Sequence, residues 1–436
     1  MNLALAKTDT VRSSDILARA RDRLPGTGKV AEARGRAFEI FEREGLPHRR
    51  LEDWKYTDLR ALMREALPLA AAPAAAALER AEKAIVALKT ANSCRLVLVD
   101  GVLAPALSDL AAHEAGVRVR TLREVLEGGS ADLLDNGAAS GAMIALNAAM
   151  ATDGVVIDIA DGTVLTKTLH IVHVAARASA GAYTRSSLTL GKAARATLLE
   201  SFVAADGAQS YQVNDAIAVR LGQGAELEHV RLMADGADAA NVTTAIFTVD
   251  ANARLTTFNL TSGGALSRYQ GYVTFAGEGA EVNANGVNLL NGRQHADTTL
   301  FLDHAVPNCT SREIFRAVID DRGHSVFQGR IIVRPDAQKT DAKMMTRALL
   351  LSDEAEADNK PELEIFADDV TCGHGATTGA LDESLLFYLR ARGLSEKEAQ
   401  ALLIQAFVGE AIESIASEAL RELAMSAARR WLAAKG

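Results

Sequence analysis

Apolar positions along the chain follow two different periods. Residues 15–44 are rich in Ala, Leu, Arg and Glu, good helix formers, and predict helix broken by the turn at 25–28. Gly45-Leu46-Pro47 stops it. Helical character resumes over 58–90, with a short apolar strand predicted at 94–101 (CRLVLVDG) and a strand leading into a helix at 117–127 (VRVRTLREVLE). From about residue 153 the period becomes two. Short β-branched runs such as GVVIDIADG (154–162), TLHIVHVA (168–175), YQVNDAIAVRLG (211–222) and NVTTAIFTVD (241–250) alternate with Gly, Asn and Asp turns and predict strands. After about residue 386 the helical period returns. Leu402, Leu403, Ala406 and Phe407 define an expected apolar stripe continued by Ile412 and Ile415, and Ser395 with Glu398 has capping-box spacing. Gly409 marks either close packing or a break between helices.

The strand-rich stretch repeats itself. An apolar residue, a short turn, an alanine and then alternating residues recur at Leu190-GKA-Ala194, Leu221-GQG-Ala225, Val249-DAN-Ala253 and Phe275-AGEG-Ala280, so the alanines lie 31, 28 and 27 residues apart. Near-constant spacing of this kind predicts stacked coils, each burying its apolar side only against the next. A sandwich or barrel is the rival. The expected organisation is a mostly helical region over 1–145, a β-helix core over 146–385 and a helical region over 386–436, mainly β with α ends.

Composition narrows the function classes. Of 436 residues, 48% are hydrophobic and 24% charged, an ordinary globular balance. A net charge of -9 and only 5% aromatic residues argue against nucleic acid as the main partner. No apolar run is long enough for a membrane span, and the N-terminus MNLALAKTDTVRSSD carries no leader-like apolar stretch. Three scattered cysteines, Cys94, Cys309 and Cys372, make no disulfide framework and fit a reducing, cytoplasmic setting.

Familiar catalytic motifs are missing: no phosphate-binding G-x-x-x-x-G-K-[ST], no H-E-x-x-H, no G-x-S-x-G and no C-x-x-C. Trp54 and Tyr56 in RRLEDWKYTDLR (49–60) predict an anchored amphipathic segment or a partner surface. His170 and His173, three apart in a strand, fall on opposite faces. His295, His304 and His324 with Asp297, Asp303 and Asp320 offer a possible metal set or separate polar contacts. The densest chemistry is PELEIFADDVTCGHGATTG (361–379), where Cys372 and His374 share a strand face. Thiol and imidazole at that spacing suit metal or sulfur handling, but as nucleophile and base they lack an orienting third group.

The segment KPELEIFADDVTCGHGATTGALDE (360–383) resembles the SufB/SufD family of the SUF iron–sulfur cluster assembly machinery, in its SufD form. The resemblance extends through 292–343, 346–361 and 387–415, and includes EDWKYTDL (52–59) and ALNAAMATDGVVIDI (145–159). Gly373 stands where the family usually has serine, and Met344-Met345 replaces a more polar pattern.

The resemblance implies a right-handed parallel β-helix flanked by helical regions and a non-catalytic scaffold in a complex of one SufB, two SufC and one SufD. The 386–436 region would dock the SufC ATPase, and the β-helix edge would pair with SufB. An isolated chain would be expected to form a homodimer or remain alone. His374 is the implied metal or cluster contact at the SufB interface, with Cys372 a weaker candidate. No cofactor would be held permanently; an iron–sulfur cluster would be transient. The competing readings are an independent β-helix carbohydrate-active enzyme using carboxylates such as Asp297 and Asp303, and a purely structural homo-oligomer.

Overall fold

The computed structural model describes residues 14–88, 92–111 and 113–434. The first thirteen residues, which bear on the expected lack of a leader, and Lys435 lie outside them. Three strands come from the N-terminal part: β1 (Ser93–Val99), β2 (Val102–Leu103) and β3 (Val117–Thr121). The coil strands follow as β4 (Val155–Ile159), β5 (Thr168–Ala175), β6 (Gly181–Leu190), β7 (Arg195–Ala204), β8 (Gln212–Leu221), β9 (Glu226–Ala234), β10 (Ala240–Val249) and β11 (Arg254–Thr261). The last eight are β12 (Leu266–Phe275), β13 (Glu281–Leu290), β14 (His295–His304), β15 (Thr310–Ile319), β16 (His324–Val333), β17 (Asp341–Leu350), β18 (Glu356–Ile365) and β19 (Thr371–Gly379). Helices are α1 (Lys29–Glu44), α2 (Ala75–Ile85), α3 (Leu122–Glu127), α4 (Ala142–Met150), α5 (Glu383–Ala391), α6 (Glu396–Ile412) and α7 (Glu418–Ala434).

Odd- and even-numbered coil strands build separate sheets. One runs β19-β17-β15-β13-β11-β9-β7-β5-β1-β2, the other β18-β16-β14-β12-β10-β8-β6-β4-β3. Pairing is parallel except at β1–β2 and β3–β4. This is a parallel β-helix with two faces, and the main core cluster lies between the sheets. Alternation along each strand sends one set of side chains inward and the other outward.

The alanine repeat is a file of corner residues. Ala194, Ala225, Ala253 and Ala280 each precede a strand in register with the next and are fully buried. The file continues through Cys309 and Thr340, also fully buried, so Cys309 fills a small-residue slot. On the outside, a charge ladder follows one residue later: Arg195 pairs with Glu226 and Arg254 with Glu281, each at 3.2 Å.

The N-terminal region covers the even sheet and, through α2, the first strands of the odd one, where Ala77, Ala81 and Ile85 pack against Val97, Val99, Val172 and Val174. The segment around Trp54 lies on the even sheet: Arg268 stacks 3.7 Å above the Trp54 ring, pairs with buried Asp297 and donates to the Asp53 carbonyl. Thr57 reaches the same cluster, its Oγ1 lying 2.9 Å from His295 Nε2. The EDWKYTD motif is thus a clamp between the N-terminal region and the solenoid.

The C-terminal helices α6 and α7 cover the odd sheet. Ile404, Val408, Ile412, Ile415, Leu420 and Trp431 pack against Val230, Phe258, Leu260, Val287 and Val318. The expected stripe is displaced: Leu402 and Ala406 are exposed, and the buried face is Ile404, Val408, Ala411 and Ile412. Outward Phe258 and Ile314 determine which side is buried, and sequence periodicity within α6 does not register them. Helix α6 runs unbroken through Gly409, and the Ser395–Glu398 capping box forms. Glu228 accepts from the backbone N–H groups of Ala416 and Ser417, placing an anion at the start of α7.

Candidate functional site at the open end of the solenoid

Cys372 and His374 lie on β19, the last strand of the ten-stranded sheet. Register with β17 is regular, Ala342 opposite Cys372 and Met344 opposite His374. Tracing back gives two inward files. One is Ala196, Leu227, Leu255, Val282, Ser311, Ala342 and Cys372; the other is Leu198, His229, Thr257, Ala284, Glu313, Met344 and His374. Both candidates therefore end interior files, about 6.5–7 Å apart along the strand. Because no further coil among the described residues covers them, Cys372 is half-buried, packed against the core cluster, and His374 is exposed.

Burial, with the Asp341 carboxylate as a smaller contribution, pushes the Cys372 thiol up from its ordinary range. A thiol held protonated is a weak nucleophile and becomes a good ligand only when a metal displaces its proton. One thiol and one imidazole fall short of a closed four-ligand set. A second molecule must complete any cluster held here. A Cβ added to Gly373, between the two, would have no atom within 4 Å, whereas one at Gly375 would meet Met345 Cε at 2.6 Å. A serine, the usual family residue, would thus fit at 373.

Sequence reasoning missed Glu313. It lies two strands before His374 in the same file, fully enclosed, and neither carboxylate oxygen has a hydrogen-bond partner. Burial pushes its carboxyl up to about 8. The signal was present in SREIFRAVI, where a charged residue falls on an inward position, but that face could be assigned only with the register. A groove of about 740 Å³ opens at this end between the last coils and the α6–α7 turn, lined by Arg312, Lys343, Met345 and Ser414 and reaching Glu313, Cys372 and His374.

The other polar candidates converge only in part: His295 and His324 meet edge-on with ring centroids 4.7 Å apart, and Thr57 bridges His295 to Asp297, while His304 and Asp303 stand elsewhere. His295 contacts Thr57, His304 Nε2 lies 3.1 Å from Ser311 Oγ, and His324 Nε2 lies 2.8 Å from Asp358. Burial holds His295 and His304 down to about 4. Asp297 is locked to Arg268, and Asp303 to Arg334 at 2.8 Å, so neither offers a free carboxylate to a glycosidic cleft. His170 and His173 do face opposite ways: His170 bonds Ser201 at 2.9 Å, and His173 stacks on Phe202 inside the solenoid.

Comparison with known proteins agrees with this geometry. Residues 26–171 match the SufBD protein N-terminal region, and residues 172–407 match the SufBD core domain, described as SUF system FeS cluster assembly. The chain belongs to the SufBD family. Among SufBD relatives, the iron-sulfur cluster assembly protein SufD of Escherichia coli K12 is 31% identical over 401 residues, covering 91% of this chain and 92% of its own length. A SufBD family protein of Synechocystis sp. is 30% identical over 396 residues, covering 85% and 84%. Another from Mycobacterium leprae is 34% identical over 176 residues, covering 38% and 45%. A role within the SUF system follows from SufBD membership. Among the described residues no helix is long and apolar enough to cross a membrane.

Proposed function

We propose that this chain is the SufD-type scaffold of a SufB–SufC–SufD complex, without catalytic activity of its own, and that its open β-helix end meets SufB. The observation that carries this reading is the terminal coil. Strands β18 and β19, ten and nine residues long, have no neighbour on their far side among the described residues. Unpaired edges of that length invite strand addition. The incomplete ligand pair Cys372 and His374 sits on that edge, where a partner's thiolates would complete it. His374 supplies the imidazole ligand to a nascent cluster and Cys372 a secondary contact; the cluster itself is cargo. In isolation the same edge supports a homodimer.

The region 386–436 docks SufC, as do the exposed faces leading into it. Helix α5 buries none of its side chains, and Phe387 is 75% exposed. A surface this apolar on a short helix favours an interface. The three-part division at about 145 and 385 follows the same logic of N-terminal clamp, core and docking helices.

Reconstitution with SufB and SufC tests the reading. Wild-type complex is expected to accumulate iron and acid-labile sulfide, and His374→Ala to lose most of both while the complex stays assembled. Normal cluster content in His374→Ala would remove the site assignment.

A further inference from the structure

Far from the open end, the interior holds a second constellation. His173 on β5, Glu200 on β7 and Asp215 on β8 point inward from both sheets, and one donor atom from each lies within 4.8 Å of the others. All three side chains are more than nine-tenths buried. Each leaves an atom without a hydrogen-bond partner: His173 Nε2, Glu200 Oε1 and Asp215 Oδ2.

The remaining atoms are held in place. His229 Nε2 lies 2.7 Å from Glu200 Oε2, and His229 Nδ1 lies 3.1 Å from Thr257 Oγ1. Thr184 donates to Asp215 Oδ1 at 2.5 Å. The His173 ring is fixed by stacking on Phe202, centroids 4.2 Å apart. Supporting bonds that orient a ligand while leaving its other atom free are what metal sites use.

Charge asks for a cation. Glu200 has the His229 ring at ion-pair distance, 2.7 Å, but Asp215 has only the neutral Thr184 hydroxyl, so one carboxylate of this dry interior is left without a counter-charge. Buried Arg231 is close, but its terminal nitrogens donate to Asn259 at 2.8 Å and Thr243 at 2.7 Å, and no ion pair joins it to either carboxylate among the described residues. Asp235 nearby is occupied by Tyr211 and Asn241.

We infer that His173, Glu200 and Asp215 form a buried site for one divalent first-row transition ion, closed during folding and pinning the two sheets together near the first coils. One imidazole and two carboxylates suit Zn²⁺, Fe²⁺ or Mn²⁺ better than a soft or alkaline-earth ion. Along the odd sheet, His173 lies seven strand spacings from His374 and Glu200 six, roughly 29–34 Å, so the site is independent of the SufB-facing pair.

The test uses the full chain, without a metal-binding tag, produced in zinc-supplemented medium. Metal analysis is expected to find one zinc per chain, and anomalous scattering at the zinc edge to place it between the three residues. His173→Gln and Asp215→Asn are expected to weaken binding by more than about 100-fold, whereas His374→Ala retains the ion. Zinc-free wild-type protein, or an anomalous peak elsewhere, overturns the site. Should a variant fail to fold, the anomalous map of the wild type still decides.

Discussion

The two ends of the solenoid solve the edge problem in opposite ways. At the first coils the sheets finish in the two-residue strand β2 and the five-residue strand β3, both turned antiparallel, with α1, α3 and α4 packed beside β4 through Val30, Leu122, Leu126, Ala148 and Val156, and α2 over β1 through Ala81, Ile85, Val97 and Val99. At the last coil, two full-length strands end bare. Short, covered edges resist further pairing, and long bare ones promote it. Apolar residues are distributed accordingly: every residue of α4 is buried, none of α5. The contrast teaches that one end is built for stability and the other for association.

The sharpest way to break that contrast is at the closed end. Arg34 projects from α1 and donates to the carbonyls of Ala149 and Ala151, both at 2.9 Å, at the C-terminus of α4. It is buried and also reaches the Ala148 carbonyl at 3.4 Å, so removing it takes a donor from three carbonyls at that helix end. Arg34→Ala is expected to cost about 3–5 kcal/mol in denaturant unfolding. A loss under about 1 kcal/mol would mean that the closed end is not where stability resides.

Next in size is a change of opposite sign towards the open end. The Glu313 carboxyl is raised to about 8 from an ordinary 4.5, so the folded state binds its proton more tightly than the unfolded chain does. Its contribution is fully present below about 4.5 and is lost as pH rises towards 8. Glu313→Gln should therefore be no more stable than wild type at pH 4 but more stable by about 3 kcal/mol at pH 7. Unfolding curves across that range check it; a pH-independent difference would place a partner on the carboxylate.

Much of this architecture is legible in residue order because coil stacking imposes a period. The alanine file is visible at 194, 225, 253 and 280, then fades where Cys309 and Thr340 take the same slot with other chemistry. Cys372 and His374 are readable as a pair because strand alternation alone puts them on one face. The interior triad is not readable: His173, Glu200 and Asp215 come from three strands of two sheets, and only the coil register brings them together. Helix α6 shows the same limit, its buried side being chosen by the sheet beneath it.

The smallest expected effect tests the comparison most finely, because it asks what one added side chain meets at each end. At Gly154, beside β4, a Cβ would lie 1.8 Å from the Arg185 carbonyl oxygen, and backbone cannot yield as a flexible side chain would. At Gly373 it would meet nothing within 4 Å. Gly373→Ser is therefore expected to change stability by less than about 0.5 kcal/mol, with the loss of glycine's unfolded-state freedom favouring the variant. Its measurable consequence belongs to association: a hydroxyl on the outer face of β19, opposite Cys372 and His374, should shift affinity for the partner edge without moving the unfolding midpoint. A stability loss above about 1 kcal/mol would show that the last coil is packed after all, and that the bare edge is not open to a partner strand.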